Sequence, residues 1–91
     1  MSVPSFPRDE HVALLRQRIE ERLRERNLPL EVAERGLNRY RCQYRFGFRR
    51  PPAEDWAELS LHFQIAARLA RGEETKEFDL ILDEFLDRNF P

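Results

Sequence analysis

A run of six arginines without a single acid lies between positions 35 and 50 of this 91-residue chain: Arg35, Arg39, Arg41, Arg45, Arg49 and Arg50. Within it, every second position is apolar: Tyr40, Cys42, Tyr44, Phe46 and Phe48. Because the side chains of an extended strand alternate between two faces, this pattern predicts one aromatic and one cationic face. Guanidinium groups bind carboxylates and phosphates bidentately, so the cationic face is the candidate binding surface.

The groups that could carry out catalysis or bind a metal are few. Cys42 is the one cysteine, and His11 and His62 are the two histidines. If segments 38–49 and 57–65 pair as strands, alternation sends Cys42 to the apolar face and His62 to the polar one, so they form no nucleophile–base pair. We expect Cys42 to be a small buried hydrophobe.

Other kinds of chemistry find equally little support. The histidines and the cysteine lack the short spacings of zinc sites, and the glycines are isolated rather than gathered in a phosphate-binding loop. The acids Asp83, Glu84 and Asp87 are typical of a solvated helix face. We therefore predict a chain that is not an enzyme, with no catalytic residue, no metal and no cofactor.

The two halves of the chain carry opposite charge. Residues 1–52 hold twelve arginines and seven acids, a net +5, whereas residues 53–91 hold four cations and ten acids, a net −6. Such blocks can pair within the fold or present a bipolar surface to a partner. Neutralisation within the fold is the more ordinary outcome, and it would compete for the arginines.

Helices are predicted at both ends of the chain. Val12, Leu15, Ile19 and Leu23 repeat at helical spacing, which predicts a helix from Pro7 to Asn27, begun by Ser5 or Pro7. A second, short helix is predicted from Pro29 to Arg35, with Gly36 in the left-handed position that follows it. Near the other end, Thr75 can cap a helix that continues to Asn89, with a broad apolar face and many acids.

The centre of the chain allows two interpretations. Alternation favours strands at 38–49 and 57–65, with a variant in which a helix begins at Ala66. Helical spacing of Trp56, Leu59 and Phe63 allows a helix instead. We predict an α+β domain with two N-terminal helices, a central antiparallel β-ribbon from Arg39 to about Ile65 and an acidic amphipathic C-terminal helix. The alternative is an all-α four-helix bundle.

Size and composition restrict the setting. A chain of this length forms one small domain, here residues 1–91 with an N-terminal arm at 1–7. A lone cysteine fits a reducing compartment, and the N-terminal residues lack the features of a signal peptide. No apolar run reaches the roughly 20 residues that span a bilayer. We expect a soluble, cytoplasmic protein that does not enter a membrane.

Binding of another protein is the function that these features favour. Arginine, tyrosine and tryptophan dominate interface energetics, and complementary charge selects partners. Phe6, Trp56 and Phe90 are candidate exposed aromatics. We predict an adaptor, inhibitor or regulator that binds a protein with an acidic patch, with a homodimer also open. The expected contact residues are Arg39, Arg41, Gln43, Arg45, Arg49, Arg50 and Trp56.

The alternative function is that of a dimeric β-ribbon DNA-binding transcriptional regulator. Two copies would pair their strands and direct Arg41, Gln43 and Arg45 at base edges in the major groove. The strand, a helix begun by proline, a glycine and a final helix loosely resemble the ribbon-helix-helix repressors, a resemblance that implies a homodimer on duplex DNA. We place this second because the net charge of −6 after residue 52 would repel DNA.

Overall fold

Three helices and a three-stranded sheet make up the part of the chain that the computed structural model describes, residues 9–73 and 76–91. In chain order they are α1 (Asp9–Glu25), β1 (Glu31–Asn38), β2 (Gln43–Arg49), β3 (Ala57–His62), α2 (Phe63–Ala70) and α3 (Lys76–Asn89). The predicted α+β class is therefore confirmed, and the all-α alternative is wrong.

The sheet is antiparallel with the strand order β1-β2-β3. β2 is central: Phe46 lies opposite Leu59 of β3 on one side and opposite Glu34 of β1 on the other. A bulge interrupts β1 between Glu34 and Leu37, and Gly36 there has a φ of 83°. Gly36 thus has the left-handed conformation that was predicted, but it serves a bulge rather than the end of a helix.

The helices cover one face of this sheet. Tyr44, Phe46 and Phe48 of β2 are buried, as alternation predicts, and they join one core with Leu59 and Leu61 of β3. The predicted helical stripes add Leu15, Ile19 and Leu23 from α1 and Phe78, Leu82 and Leu86 from α3, and α2 adds Phe63 and Ala66. The ring centroids of Phe48 and Phe85 lie 5.0 Å apart, which places α3 against the central strand.

A buried polar pair joins α1 to the central strand. His11 is 4% exposed, and its Nδ1 lies 3.3 Å from the hydroxyl of Tyr44. The two rings meet edge to face at 6.4 Å. A buried imidazole and phenol need polar partners, so this contact lets both rings lie in the core.

The break after α1 lies where the sequence predicts it. α1 ends at Glu25, Asn27 has a left-handed φ of 55°, and the Leu28 N–H donates to the carbonyl of Leu23 at 2.9 Å. This is the hydrogen bond that closes a Schellman turn, in which asparagine can replace glycine. The chain then leaves the helix before Pro29.

The predicted second helix, Pro29 to Arg35, is wrong because this segment enters β1. Val32 lies opposite Phe48 on the core side of the sheet, and Leu37 lies opposite Tyr44. Glutamate, alanine and arginine favour a helix only weakly, so burial of Val32 and Leu37 beside β2 outweighs their preference. Between residue 9 and the sheet there is accordingly one helix instead of two.

The ribbon is shorter at both ends than predicted. β2 begins at Gln43 instead of Arg39, because residues 39–42 form the turn from β1. Cys42 therefore escapes the alternation: it is exposed with a φ of 56°, which corrects its predicted burial. β3 ends at His62 rather than Ile65, because the His62 side chain caps α2 by accepting the Gln64 N–H at 3.0 Å. Ser5, Phe6, Pro7 and Thr75 lie outside the described residues.

A ladder of three arginine–aspartate pairs joins the first helix to the last. Arg18 binds the carboxylate of Asp79, with Nε at 3.0 Å and Nη2 at 2.6 Å from its oxygens. Arg22 binds Asp83 at the same two distances. Arg26, just after α1, binds Asp87 at 2.6 Å. The spacing of four residues and the common order show that α1 and α3 run parallel along this contact.

The ladder pairs three arginines of the basic block with three aspartates of the acidic block. The hydrogen bond from Arg22 lowers the pKa of Asp83, with the charges of Arg22 and Arg26 adding to it, so the carboxylate stays ionised at neutral pH. Its partners are Arg22 of α1 and Arg26 just after it, and not the arginines of segment 35–50. The acidic final helix is thus already engaged elsewhere.

We predict that Asp83→Asn lowers the free energy of unfolding by about 1 kcal/mol at neutral pH, near the upper end for a bidentate surface pair. Because the pKa of Asp83 is lower in the folded state, its stabilisation is full above the ordinary aspartate pKa of about 3.9 and is lost as the pH falls through the folded value. Urea unfolding of wild type and variant between pH 7 and acid should therefore converge.

The matched control for this variant is Glu84→Gln, the next residue on α3. Glu84 is exposed and has no ion pair among the described residues. It should change stability little at any pH. Equal loss in both variants would show that the general charge of α3, and not the ladder, sets its stability.

Candidate binding surface: the outer face of the sheet and the hairpin tip

The sheet face that points away from the helices, here called the outer face, carries the arginines of β2. Arg45 places Nε and Nη2 at 2.6 and 2.9 Å from the carboxylate of Glu58 on β3. Arg49 holds Glu31 on β1 at 2.6 Å. These cross-strand pairs fix the guanidinium groups while leaving them partly exposed.

Glu58 stays charged because of this arrangement. The hydrogen bond from Arg45 lowers the pKa of the Glu58 carboxyl, and the charges of Arg45 and Arg35 act in the same direction. Arg45 is therefore compensated over the whole physiological pH range, and a partner's carboxylate would have to share or replace Glu58.

Trp56 forms the centre of the outer face. The guanidinium carbons of Arg35 and Arg49 lie 4.5 and 5.2 Å from the centroid of its ring, within the range of cation–π attraction. Trp56 is still 40% exposed. The sheet thus presents an aromatic ring and two arginines side by side, which the alternation of β2 alone does not provide.

Gly47 makes room for this cluster. A Cβ on Gly47 would lie 2.7 Å from Nε of Arg35 and 3.2 Å from Cε3 of Trp56, so a side chain there would force the arginine aside and press tightly on the indole ring. Glycine inside a strand often marks such a close approach. Arg35 and Trp56 thus pack against the backbone of Gly47, which lies between Arg45 and Arg49 on the outer face of β2.

The turn between β1 and β2, residues 39–42 and here called the hairpin tip, projects beyond the sheet. Its backbone is fixed by the Asn38 side chain, which accepts the Arg41 N–H at 3.1 Å, and by the Cys42 N–H, which donates to the Arg39 carbonyl at 3.3 Å. Tyr40 is 97% exposed. Within residues 9–73 and 76–91, the guanidinium groups of Arg39 and Arg41 have no side-chain partner.

Cys42 and His62 lie near each other but are each engaged locally. The Phe63 N–H donates to the Cys42 carbonyl at 2.8 Å, which places the end of β3 beside the hairpin tip. The Cys42 thiol lies 3.8 Å from the Arg39 carbonyl, and the Nδ1 of His62 accepts the Gln64 N–H. An imidazole that caps a helix in this way is a structural group, so the pair offers no nucleophile–base geometry.

The predicted contact residues fall into three places. Gln43, Arg45, Arg49 and Trp56 share the outer face, whereas Arg39 and Arg41 occupy the hairpin tip. Arg50 lies apart from both, with its guanidinium carbon 5.7 Å from the ring of Phe90. Phe90 is half-buried against the core, so it is not the exposed anchor that was expected.

Two members of the surface were not identified from the sequence. Arg35 was placed in a helix, and only its long-range contact with Trp56 reveals its role. Tyr40 was assigned to the aromatic face of the strand, although it lies before the strand and is fully exposed. The strand-interior Gly47 between Arg45 and Arg49 was the one local signal that something packs across the outer face.

Comparison with protein-family models, with curated proteins and with solved structures finds no match for this chain. Among the described residues, no group of three or more histidine, cysteine or carboxylate side chains could hold a metal ion. None of the helices in those ranges has the length and apolar character needed to cross a membrane. The outer face and the hairpin tip are therefore the features of the molecule that bear on its function.

We predict that Gly47→Ala displaces Arg35 and Trp56 and lowers the free energy of unfolding by about 1 kcal/mol, the low end for overpacking because the arginine side chain is flexible. Trp56 is the only tryptophan, so its fluorescence reports this cluster directly. Its emission should shift to longer wavelength as the ring becomes more exposed.

A second variant tests the cause of that shift. In an Arg35→Ala background the nearest colliding atom is absent, so adding Gly47→Ala should change emission and stability less than it does in wild type. Equal changes in both backgrounds would show that Arg35 does not pack on Gly47.

Proposed function

We propose that this chain is a non-enzymatic protein-interaction module that binds an acidic patch of another protein through the hairpin tip and the outer face. The observation that carries this proposal is the ladder, in which arginines in and just after α1 pair with Asp79, Asp83 and Asp87. These three aspartates of the acidic half are thus engaged by arginines outside segment 35–50, and Arg39 and Arg41 have no carboxylate among the described residues.

The arginines of the surface differ in what a partner would gain from them. Arg45 and Arg49 already hold Glu58 and Glu31, so a new carboxylate adds little to their existing interactions. Arg39 and Arg41 are hydrated instead, and each can take up a carboxylate in a bidentate pair. The hairpin tip is therefore the part of the surface that selects an acidic partner.

Tyr40 supports a protein as the partner. An exposed tyrosine between two arginines combines apolar contact area with a hydroxyl, and these residue types dominate interface energetics. Because Asn38 fixes the turn in advance, little backbone freedom is lost on binding. The partner we propose has carboxylates around a surface that covers the Tyr40 ring.

A reducing, cytoplasmic location belongs to the same proposal. Cys42 is an exposed thiol beside the binding residues and is the one cysteine of the chain. In an oxidising compartment such a thiol would form mixed disulfides at the proposed interface.

Single-stranded nucleic acid is a second candidate ligand. This candidate differs from the DNA-binding β-ribbon, in which two copies would pair their β2 strands. Both edges of β2 are already paired with β1 and β3 of the same chain. Trp56 and Tyr40, however, lie on the arginine side of the molecule. Proteins that bind single-stranded nucleic acid stack its bases on exposed aromatic side chains and contact its phosphates with neighbouring cations.

We predict that Arg39→Glu with Arg41→Glu removes the acidic partner in pull-downs from cell extract, with retention reduced at least tenfold, about 1.4 kcal/mol. Neither side chain has a partner among the described residues, so thermal unfolding should be nearly unchanged. Retention should also fall as salt is raised, because the attraction is electrostatic.

The matched control is Arg24→Glu with Arg88→Glu, which makes the same change in net charge on the helices. Both arginines are exposed and have no ion pair among the described residues. Binding by this control should equal that of wild type. If the tip variant and the control retain the same proteins in the same amounts, the hairpin tip is not the binding site.

The nucleic-acid candidate predicts quenching of Trp56 fluorescence by a single-stranded oligonucleotide, with an affinity that falls steeply with salt. Trp56→Phe keeps an aromatic ring and should retain binding when fluorescence anisotropy of a labelled oligonucleotide is measured, whereas Trp56→Ala should weaken it. Absence of quenching and of anisotropy change at low salt would remove this candidate.

A further inference from the structure

β3 is an edge strand, and its backbone groups on the open side can be identified from one hydrogen bond. The Phe63 N–H donates to the Cys42 carbonyl at 2.8 Å, and these residues continue the β2–β3 register by one pair. Hydrogen-bonded and non-hydrogen-bonded pairs alternate along an antiparallel ladder. Leu59 and Leu61 therefore turn their N–H and C=O groups towards β2, and Glu58, Ser60 and His62 turn theirs towards the open edge.

These open-edge groups have no partner within the described part of the chain. No hydrogen bond is found there for the N–H and C=O groups of Glu58 and Ser60, or for the N–H of His62. Glu58, Ser60 and His62 are all exposed. An unprotected edge of this kind is a template for pairing with another strand.

The other edge of the sheet is protected in two ways. Nη2 of Arg16 donates to the Val32 carbonyl at 3.0 Å and so occupies an outward-facing group of β1. The bulge between Glu34 and Leu37 interrupts the regular ladder farther along. Bulges and covering cations are devices by which natural sheets avoid pairing at an edge. β3 has neither a bulge in its register with β2 nor a proline inside it.

The sequence of β3 is self-complementary about Ser60. In an antiparallel pairing with a two-fold axis at this residue, Ser60 lies opposite Ser60 of the second copy. Leu59 then lies opposite Leu61, and Glu58 lies opposite His62. Each apolar side chain meets an apolar one on the core side, and each acid meets an imidazole on the outer face. A two-fold interface requires this kind of self-complementary surface.

The side chains on the outer face also match as hydrogen-bonding groups. Because Nδ1 of His62 accepts the Gln64 N–H, the proton of the neutral ring lies on Nε2, which is therefore a donor. Glu58 is an acceptor held in its charged form by Arg45. Along the backbone, the two Ser60 residues can exchange both of their hydrogen bonds, and each His62 N–H can donate to the Glu58 carbonyl opposite.

We propose that two copies of this chain pair antiparallel along β3, with the two-fold axis at Ser60, and so form one continuous six-stranded sheet from two three-stranded ones. Both outer faces then lie on the same side of that sheet. The dimer is independent of the ligand proposed above, since it needs only the open edge of β3.

A cysteine at position 60 tests the pairing directly. Directly opposite residues of a hydrogen-bonded pair have Cα atoms about 5.5 Å apart, within the range that a disulfide spans. In a Cys42→Ser background, Ser60→Cys should form an intermolecular disulfide under mild oxidation. Ala13→Cys in the same background places an exposed thiol on α1 and should cross-link far more slowly. Equal rates would overturn the proposal.

Sedimentation of the isolated protein gives the second test. Wild type and Ser60→Ala, which keeps the backbone N–H, should sediment as dimers. Ser60→Pro removes a donor that faces the open edge and no hydrogen bond inside the chain, so it should sediment as a folded monomer with an unchanged circular dichroism spectrum. A monomeric wild type at every concentration, or a dimeric Ser60→Pro, would overturn the proposal. If Ser60→Pro fails to fold, the cross-linking rates decide alone. No ligand is present, so failure here leaves the hairpin-tip experiment unaffected.

Discussion

The alternation of the central strand determines on which side of the sheet every other group lies. Tyr44, Phe46 and Phe48 bury one face of β2 beneath the helices, and this leaves Gln43, Arg45 and Arg49 no position except the opposite face. A shift of one residue would reverse both sets, moving three aromatic rings into water and the arginines into the core. The same constraint that builds the core therefore displays the cations.

A second constraint decides which cations remain available. The chain is nearly neutral, but its charges are paired locally: α3 with α1, Glu58 with Arg45 and Glu31 with Arg49. Each such surface pair contributes modestly to stability, but together they engage five arginines that could otherwise bind a partner. The arginines of the hairpin tip are left as hydrated charges because the turn carries them beyond the reach of these acids. The same placement of acids that pairs the other arginines within the fold therefore leaves Arg39 and Arg41 exposed at the hairpin tip.

Local pattern was sufficient to predict the elements with strong periodicity. The stripe Leu15, Ile19 and Leu23 predicted α1, and the parity of β2 predicted which face is cationic, since both depend on neighbours within a few residues. The segment after Pro29 was predicted wrongly, because its preference for strand comes from β2, a partner distant in sequence. Cys42 and Tyr40 were misplaced for a related reason: the parity rule holds only inside a strand, and the alternating pattern does not show that the turn extends to residue 42.

Part of the candidate site could likewise be predicted from local spacing, and part depends on contacts between residues distant in sequence. Arg45, Arg49 and Gln43 could be assigned to one face from their spacing alone. The contact of Arg35 and Trp56 over Gly47 could not, because it joins β1 to the residue before β3 across the central strand. The sequence likewise showed that opposite charges were present in equal measure without showing which acid would hold which arginine. Those choices depend on the parallel packing of α1 and α3.

The ladder between α1 and α3 also has a consequence for how the molecule assembles. Each of its pairs joins residues 61 positions apart, so it closes about two thirds of the 91-residue chain into a loop. Closing so long a loop costs conformational entropy before any contact is gained, whereas the β1–β2 hairpin closes a short one. We therefore expect the ladder to form after the transition state for folding, where it slows unfolding rather than accelerating folding. On this view α1 and α3 form their ion pairs only after the sheet has formed.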